Sequence, residues 1–550
     1  MGKAIIAHLA SVSALTLFLG SAQAASLPDA LFGAISAGNL PQITKPAAVT
    51  LTELSRVVPE ADYPDGLGEI HDDTQRPAAR TLSNILSEPQ NKREDDQPLS
   101  NLFVAMMQFI ASHEIARSPT NPAEPIPMSV DPSDPFVTSS GQTIIPQDRA
   151  TATGGTISPR QQQNDVTVAF DGSTVYGSNQ DRENALRSFV DGKLLVGPDG
   201  GLPVNAQGRR IAGDVRADEN APLEAIHELF LREHNRLADE IKAGCPSCTD
   251  QEIFDAAELL IANIQHKIFY DEMLPLFLGT EDLNSLIPDP TVLAGVENAI
   301  NEFTTAAGRL GHTQVPDTIM LALPGQAARE VNLADCFFAD DCFGGASNAE
   351  ILFGMTVQPG EAIDGVVVDA LRNSQVPGFG ANFLIDLLAT NINRGRDHGL
   401  PDYMELRAAL GFDMSIGIDD LLPDYVLDAY TGLDSFGIDL LVGLFTEERD
   451  TGDYLGETGK ALWALQFRNL FQLVPTFADD ALQSSLEGWL EDVSMVSLLA
   501  RDTGLDESAF AANVFLAPST VPLPSGLILG ASAYALLLRR RFRLGGGAAA

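Results

Sequence analysis

Four short blocks of this 550-residue chain hold histidine, arginine or asparagine side chains that can carry proton-transfer or metal chemistry. The imidazole of histidine titrates near neutral pH and binds metal ions through a ring nitrogen. The planar guanidinium of arginine binds carboxylates and stabilises negative charge. The blocks are MQFIASHEI (residues 107–115), GDVRADE (213–219), FTTAAGRLGHT (303–313) and TNINRGRDHGLP (390–401).

The elements that must hold these blocks are mainly helices. Apolar residues at Leu223, Ile226 and Phe230 follow the spacing of one helix face within segment 223–242. Similar patterns occur in segments 103–115, 253–278, 383–391, 404–410 and 458–473. Few stretches alternate between apolar and polar residues as strands do. We therefore predict a mainly α fold with a single large domain over residues 60–475.

The charge balance excludes several classes of protein. The chain has 34 basic and 75 acidic residues, a formal net charge of −41. Proteins that grip nucleic acid or an anionic membrane need a basic surface, so we expect no nucleic-acid partner. Apolar residues make up 45% of the sequence, which is enough for a large core and argues against a disordered acidic chain.

The N-terminal residues 1–24 predict a secretory signal peptide. Lys3 precedes an apolar stretch, and Ala22 and Ala24 supply small residues at the cleavage positions. The alternative is a buried N-terminal helix. Residues 25–60 are interpreted as a loop-rich lead-in to the domain.

The C-terminal residues 521–550 predict a second targeting segment. Val521–Pro524 (VPLP) precedes a short apolar run and four arginines, an order that resembles bacterial C-terminal sorting signals of the VPLP/PEP type. The resemblance implies export, transient membrane association and processing by a membrane exosortase. A plain single-pass tail anchor is the alternative. Both place the domain outside the cytoplasm, secreted or at the cell surface, with residues 476–520 as an acidic extension.

Four cysteines form two locally spaced pairs. Cys245 and Cys248 are three residues apart, and Cys336 and Cys342 are six apart. In an oxidising compartment each pair predicts a small-loop disulfide. A zinc site built from all four and a redox-active CxxC remain as alternatives.

Five blocks, taken together in chain order, resemble the animal-type haem peroxidase superfamily, specifically its bacterial peroxidasin-like members. They are the four blocks above and LFLREHNRLA (residues 229–238), and RPAARTLSNIL (76–86) and VTVAFDGSTVYGSNQDRENAL (166–186) add to the match. The resemblance covers roughly residues 60–470. It implies a helical fold with haem b held between helices and long irregular loops, in agreement with the periodicity.

The resemblance implies how one side of the haem is held. His312 matches the proximal iron ligand, and Asn391 matches the residue that accepts the hydrogen bond of its other ring nitrogen. Arg309 and Arg394 match the partners of the haem propionates, which their planar guanidinium groups suit.

The resemblance also implies the catalytic groups. His113 matches the distal base that moves a proton between the oxygens of hydrogen peroxide. Arg216 matches the arginine that stabilises negative charge as the O–O bond breaks. The expected activity is a haem peroxidase that oxidises a small-molecule electron donor through a ferryl intermediate. Glu219 matches a glutamate that can form an ester to haem.

A calcium site is the third feature that the resemblance implies. Its expected ligands in the loop are Thr167, Ala169, Asp171 and Ser173, with Ala169 contributing its carbonyl, and Glu114 is the remaining carboxylate. Alternating oxygen donors suit a hard cation. The alternative is an Asp-Gly turn without a metal.

The segment before His113 departs from the family pattern. The family usually has Gln four residues before the distal histidine, whereas here Phe109 stands there and Gln108 is five residues before. Residues five apart do not share a face of an α-helix. Gln108 therefore takes the place of the family glutamine only if a π-type bulge intervenes. Without it, efficient halide oxidation is not expected. Ser112 cannot form the ester that the family's Asp forms there.

Two other functions remain open at this point. A fatty-acid oxygenase of the same superfamily is one, but Arg309 stands where cyclooxygenase-like members have a catalytic Tyr. A non-enzymatic surface or adhesion module on a peroxidase scaffold is the other, suggested by the sorting segment and the departures around Phe109.

Overall fold

The computed structural model describes residues 52–518, apart from 281, 294–298, 338–341, 376–383 and 434–436, together with residues 27, 31, 33, 43 and 44. The predicted signal peptide and sorting segment lie outside the described residues, as do most of the lead-in and the side chains of residues 112 and 114. No helix among the described residues is long and apolar enough to cross a membrane.

The described fold is mainly α-helical, which confirms the predicted fold class. In chain order, the α-helices of the first half are α1 (Ala79–Leu86), α2 (Asn101–Met106), α3 (Pro135–Ser140), α4 (Ser173–Tyr176), α5 (Gln180–Leu186), α6 (Ala221–Gly244), α7 (Asp250–Lys267) and α8 (Leu274–Leu278). Two π-helices span Met107–Glu114 and Ile268–Met273.

The second half is also helical. Its α-helices are α9 (Asn301–Thr305), α10 (Asn348–Val357), α11 (Asp369–Arg372), α12 (Leu387–Asp397), α13 (Tyr403–Leu410), α14 (Asp424–Tyr430), α15 (Leu440–Thr446), α16 (Glu457–Leu470), α17 (Asp480–Leu490) and α18 (Met495–Thr503). Short 3-10 helices are Pro89–Asn91, Leu283–Leu286, Pro290–Leu293, Ala307–His312, Leu333–Asp335, Ile418–Asp420 and Glu507–Ala509.

The strands are short and pair antiparallel in two- or three-stranded sheets. They are β1 (Ile43–Thr44), β2 (Thr52–Glu53), β3 (Thr120–Pro125), β4 (Met128–Ser129), β5 (Ile144–Ile145), β6 (Asp148–Ala150), β7 (Ala152–Thr153), β8 (Gln161–Asn164), β9 (Thr318–Leu321), β10 (Arg329–Asn332), β11 (Ser374–Gln375), β12 (Leu384–Ile385) and β13 (Thr476–Phe477). The pairs are β1–β13, β3–β6, β4–β5, β9–β10 and β11–β12, and β8 lies between β2 and β7. In β9–β10, Thr318 stands opposite Asn332.

The longest helices, α6 and α7, form the hairpin that anchors one wall of the site. Helix α6 begins where the Asn220 side chain accepts a hydrogen bond from the Leu223 N–H, and a Thr249–Glu252 capping box begins α7. The predicted apolar face of α6 is buried: Leu223, Ile226 and Phe230 are each 0% exposed. This confirms the helical periodicity.

Both predicted disulfides are present, Cys245–Cys248 in the turn between α6 and α7 and Cys336–Cys342 after β10. Their Cα–Cα distances are 5.4 and 5.1 Å. All four cysteines are therefore bonded in two local disulfides, which excludes a zinc site built from all four.

The chain after residue 475 packs onto the helical body. Helix α18 contacts α6, where Arg501 donates a hydrogen bond to Glu233 at 2.9 Å and Asp502 pairs with Arg232. Phe515 is fully buried, and its carbonyl accepts a hydrogen bond from the Ser100 N–H just before α2. The helix that leads into the His113 block is thus held at its start by the C-terminal segment.

Candidate active site

One cavity of about 250 Å³ gathers side chains from three of the four blocks. Its wall includes polar residues from the π-helix Met107–Glu114, from the loop before α6 and from the 3-10 helix Ala307–His312. These are Gln108, His113, Arg216, Glu219, Asn220, Arg309 and His312. Apolar residues, among them Phe277, Phe337 and Trp463, complete the wall. The separate motifs therefore meet at one site.

The π-helix decides which residues of the His113 block face the cavity. Its hydrogen bonds join residues five apart, so residues i and i+5 lie on one face. Gln108 and His113 accordingly both line the cavity. Phe109 points away and is fully buried, stacked on Phe230 with ring centroids 5.1 Å apart. The π-helical register on which the role of Gln108 depends is therefore present, and Gln108 shares the cavity wall with His113.

Gln108 is oriented by the residue that begins α6. The Asn220 amide donates a hydrogen bond to Gln108 Oε1 at 3.3 Å, while its own Oδ1 accepts from the Leu223 N–H at 3.0 Å. With its oxygen engaged, Gln108 can present its amide N–H groups to the cavity.

His113 is buried beside an acidic residue. Its side chain is 5% exposed, and Nδ1 lies 3.7 Å from Oδ1 of Asp214, too far for a hydrogen bond. Burial and the positive charge of Arg216 hold the pKa of His113 well below its usual value. The imidazole is therefore neutral at neutral pH and can accept a proton.

Arg216 reaches the same cavity and pairs with Asp214. Its Nε and Nη2 donate to the two carboxylate oxygens at 2.8 and 2.7 Å. Burial alone would raise the pKa of Asp214, but the charge and hydrogen bonds of Arg216 outweigh it and hold that pKa far below its usual range. The pair is thus charged, and Nη1 of Arg216 is left for a ligand.

His312 ends the 3-10 helix and faces Asn391 of α12. The Asn391 amide nitrogen lies 2.7 Å from Nδ1 of His312. A half-turn of the amide exchanges nitrogen and oxygen, and the oxygen then accepts from Nδ1–H. Nε2 is left to bind a metal. Burial, followed by the charge of Arg309, lowers the pKa of His312 to about 3, so the ring is neutral as a ligand must be.

Arg309 brings a buried positive charge to the cavity. Among the described residues no carboxylate forms an ion pair with its guanidinium, which lines the cavity beside His312. Burial, then repulsion from Arg216 and Arg394, lowers its pKa to about 10. An anionic group in the cavity would relieve both effects, so the site fits a cofactor that carries carboxylates.

Of the other two residues expected to hold the cofactor, Glu219 lines the cavity and Arg394 does not. Arg394 donates to Asp397 on its own helix at 2.8 Å and does not line the cavity. Glu219 does line it, and burial raises the pKa of its carboxyl group. Of the two arginines predicted to hold the cofactor, only Arg309 therefore faces the cavity directly.

The expected calcium ligands lie in and after the loop that leads into α4. Thr167, Ala169 and Ser173 are buried, and the Thr167 hydroxyl donates to Ser178 at 3.0 Å. Asp171 Oδ1 accepts from the Ser173 N–H at 3.0 Å. Among the described residues no three His, Cys, Asp or Glu side chains form a metal cluster, and the Glu114 side chain is not described. The expected donors are mostly hydroxyl and carbonyl oxygens, chemistry that suits calcium.

Sequence reasoning missed two residues of the site. Asp214 contacts Arg216, and its position two residues before that arginine was the only available signal. Trp463 lines the cavity from α16, where its indole N–H donates to the Ala307 carbonyl at 3.3 Å. Nothing in the helical pattern of segment 458–473 distinguishes Trp463 from a core residue.

Comparison with known proteins gives one family. The model of the animal haem peroxidase family matches residues 43–513. Heme peroxidase 2 of Caenorhabditis elegans is 27% identical over 477 residues, which cover 76% of this chain and 66% of that protein. Dual oxidase 1 of the same organism is 34% identical over 392 residues, covering 64% of this chain and 26% of that protein. The chain thus spans less than two thirds of either relative.

Solved structures show the same fold. Peroxidase A from Dictyostelium discoideum superposes with a TM-score of 0.71 at 22% identity, covering 86% of this chain and 96% of that one. Fatty acid alpha-dioxygenase from Oryza sativa gives 0.71 at 19% identity, covering 86% and 85%. Because a peroxidase and a dioxygenase match equally well, the likeness identifies the fold and leaves the reaction to the site.

Proposed function

This chain belongs to the animal haem peroxidase family, and we propose on that premise that it is an exported haem-dependent peroxidase that reduces hydrogen peroxide and oxidises a small-molecule donor. The observation that carries the proposal is the single cavity lined by His113, Arg216, Arg309 and His312. A base, two guanidinium groups and a metal-ligating imidazole are the groups that this chemistry needs.

The residues present suit haem b. His312 would bind the iron through Nε2 with Asn391 as its hydrogen-bond partner, and Arg309 would pair with a propionate. The positive charge of Arg394 lowers the pKa of Arg309, so the two guanidinium groups lie near each other. Arg394 would help Arg309 to bind the propionates if its guanidinium donated to a propionate as well as to Asp397. When bound, haem supplies the oxidising equivalents. Glu219 is the candidate for one ester link to it.

The work of the chain itself is proton transfer and charge stabilisation. With haem bound, neutral His113 would take a proton from one peroxide oxygen and return it to the other, which would leave as water, and the haem would supply the two electrons that this cleavage needs. Arg216 donates hydrogen bonds to the negative charge that develops as the O–O bond breaks. Gln108 offers further amide donors at the same wall of the cavity.

A calcium ion held by Thr167, Ala169, Asp171, Ser173 and Glu114 would brace the π-helix through Glu114, the neighbour of His113. Support comes from the oxygen-only donor set. Calcium at about 100 times its Kd should raise the free energy of unfolding by about 2.7 kcal/mol. Asp171→Asn should abolish this increase, and an equal increase in that variant would refute the site.

Haem reconstitution tests the main proposal. The wild-type protein should show a Soret band that changes on addition of peroxide, and peroxide-dependent dye oxidation. His312→Ala should lose haem and activity. The control, His266→Ala, removes a histidine that contacts the Phe471 carbonyl away from the cavity and should keep both. Haem content and activity unchanged in His312→Ala would make the assignment wrong. Oxygen uptake with an unsaturated fatty acid and no peroxide turnover would favour an oxygenase instead.

A further inference from the structure

We propose that Asp214 is a positioning residue that fixes Arg216 and His113 relative to each other, a role that rests on the proposed peroxidase function. The sequence motifs assigned no role to this side chain. It is buried, 2% exposed, and it contacts both groups that would handle the peroxide. It does not line the cavity itself, so it would act through these two neighbours.

The contact with Arg216 fixes the plane of the guanidinium. Oδ1 accepts hydrogen bonds from the Arg216 backbone N–H at 2.7 Å and from Nε–H at 2.8 Å, and Oδ2 accepts from Nη2–H at 2.7 Å. Two parallel bonds between planar groups leave one orientation. Both N–H groups of Nη1 and the second N–H of Nη2 remain for the cavity. Asp214 therefore sets the direction in which Arg216 donates.

The contact with His113 selects the ring nitrogen that serves as the base. Nδ1 faces the carboxylate at 3.7 Å and, among the described residues, has no hydrogen-bond partner. A negative charge beside Nδ1 favours the tautomer that carries the proton there. Nε2, on the other side of the ring, is then unprotonated and able to accept a proton.

The backbone of Asp214 is itself anchored. Its N–H donates to the Thr174 carbonyl of α4 at 3.0 Å. A side chain at Gly213 would put Cβ 2.2 Å from the Ser173 carbonyl oxygen, so only glycine allows this close approach. The carboxylate is thus held from behind by α4 while it orients two side chains in front.

The test compares Asp214→Asn with Asp218→Asn in the haem-loaded protein. Asp218 is the matched control because it lies in the same loop and pairs through both oxygens with Arg209, which does not line the cavity. Asp214→Asn should react with peroxide about 100-fold more slowly, the scale of a misplaced catalytic group. Haem content and Tm should match those of Asp218→Asn, which should react like wild type. Asp214→Glu, which keeps the charge, should restore part of the rate.

Two further readouts separate positioning from general damage. Cyanide binds as HCN and passes its proton to a base, so its association rate should fall in Asp214→Asn without any peroxide turnover. In an Arg216→Lys background, where the planar fork is absent, Asp214→Asn should slow the peroxide reaction less than about threefold, the mark of two residues that act as a unit.

The outcomes are distinct. Wild-type peroxide and cyanide rates in Asp214→Asn, or an undiminished effect in the Arg216→Lys background, would overturn the inference. Loss of haem or a lower Tm than Asp218→Asn would make Asp214 structural and overturn it as well. A wild-type protein that binds haem but ignores peroxide would refute the proposed function, and the cyanide comparison would still decide the role of Asp214.

Discussion

Two asparagines on one turn of α12 differ in what their amides contact. Asn391 lies 2.7 Å from Nδ1 of His312, whereas Asn393 donates to Gln147 Oε1 at 2.9 Å and does not touch the cavity. Outer partners of a ligating histidine typically change metal affinity 10–100-fold. Asn391→Ala should therefore lower haem affinity by roughly 10–100-fold, measured by titrating the apoprotein with haem before any peroxide is added. Asn393→Ala is the control, and an equal loss there would refute the specific role of Asn391.

Two buried histidines of α6 differ in whether their ring nitrogens have hydrogen-bond partners. Among the described residues neither ring nitrogen of His227 has a hydrogen-bond partner, whereas His234 contacts the Tyr176 hydroxyl at 2.8 Å and the Gly192 carbonyl at 2.9 Å. Unpaired buried polar groups cost about 1–3 kcal/mol. His227→Leu should raise the free energy of unfolding at pH 7 by about that amount, and His234→Leu should lower it. Guanidinium unfolding measures both, and a large loss in His227→Leu would contradict the prediction.

The same histidines give the stability a pH dependence. Burial lowers the pKa of both His227 and His234 to about 4. Below the unfolded value of about 6.5 the unfolded chain binds protons that the folded chain does not, so stability falls as the pH decreases from there to about 4. Each histidine contributes a slope of about 1.4 kcal/mol per pH unit. His227→Leu should remove one such slope between pH 6.5 and 4.5, and an unchanged slope would show that folding does not lower the pKa of His227.

At the residue scale, the sequence identifies the histidine and arginine side chains that could form the site. It does not predict the ion pairs and hydrogen bonds that set their charge and orientation. The histidines and Arg309 meet in the cavity as expected. Arg394 was expected at the same anion but pairs with Asp397, because that carboxylate lies one turn away on its own helix. The sequence gives no sign of the role of Asp214, because an acidic residue in a polar loop is normally solvated.

At the scale of elements, the most informative feature is the π-helix Met107–Glu114. Amphipathic periodicity predicts a helix there but not its hydrogen-bond register, which depends on tertiary packing. Phe109 favours the π register, since its ring stacks on Phe230 and contacts His227 edge-on at 4.7 Å. Phe109 therefore packs in the core, while Gln108 and His113 lie on a common face of the π-helix.

Deleting one residue inside this π-helix should be tolerated better than deletion in the α-helix before it. Removing Ala111 leaves Gln108 four residues before the histidine, which an α-helix places on one face. Removing Ala105 from α2 rotates the buried residues before it by about 100° relative to the site. Ala111 deletion should retain haem and a peroxide rate within about tenfold, measured by stopped-flow absorbance, whereas Ala105 deletion should lose haem. If the Ala111 deletion lost haem and the Ala105 deletion kept it, the interpretation that the π-helix holds one extra residue would be wrong.

At the scale of the whole molecule, the sequence predicts the helical class because long amphipathic faces such as that of α6 need a core to cover them. It does not predict how the chain after residue 475 is used. There α17 exposes Asp480 and Glu487 to solvent, whereas α18 buries Met495 and Leu499 against the domain. Mixed surface charge and a narrow apolar face make such a segment resemble a solvated tail in sequence.

The surplus of acidic residues should select the charge of the donor. The full chain carries −41, and processing at both predicted ends would make it −46, because residues 1–24 and 521–550 contain five basic residues and no acidic one. The guanidinium groups of Arg216 and Arg309 face inward to the cavity, so a donor approaching from outside meets a mainly negative surface. Fields of this kind change association rates by roughly 10–1,000-fold and are screened within about 10 Å at 0.1 M salt.

For the haem-loaded enzyme, kcat/KM for a cationic donor should therefore fall as salt rises from about 0.01 to 1 M, and that for an anionic donor should rise. A neutral donor of similar size and potential is the control and should show little change. Faster oxidation of the anionic donor at low salt would mean that a local basic patch at the cavity mouth, rather than the net charge, controls access.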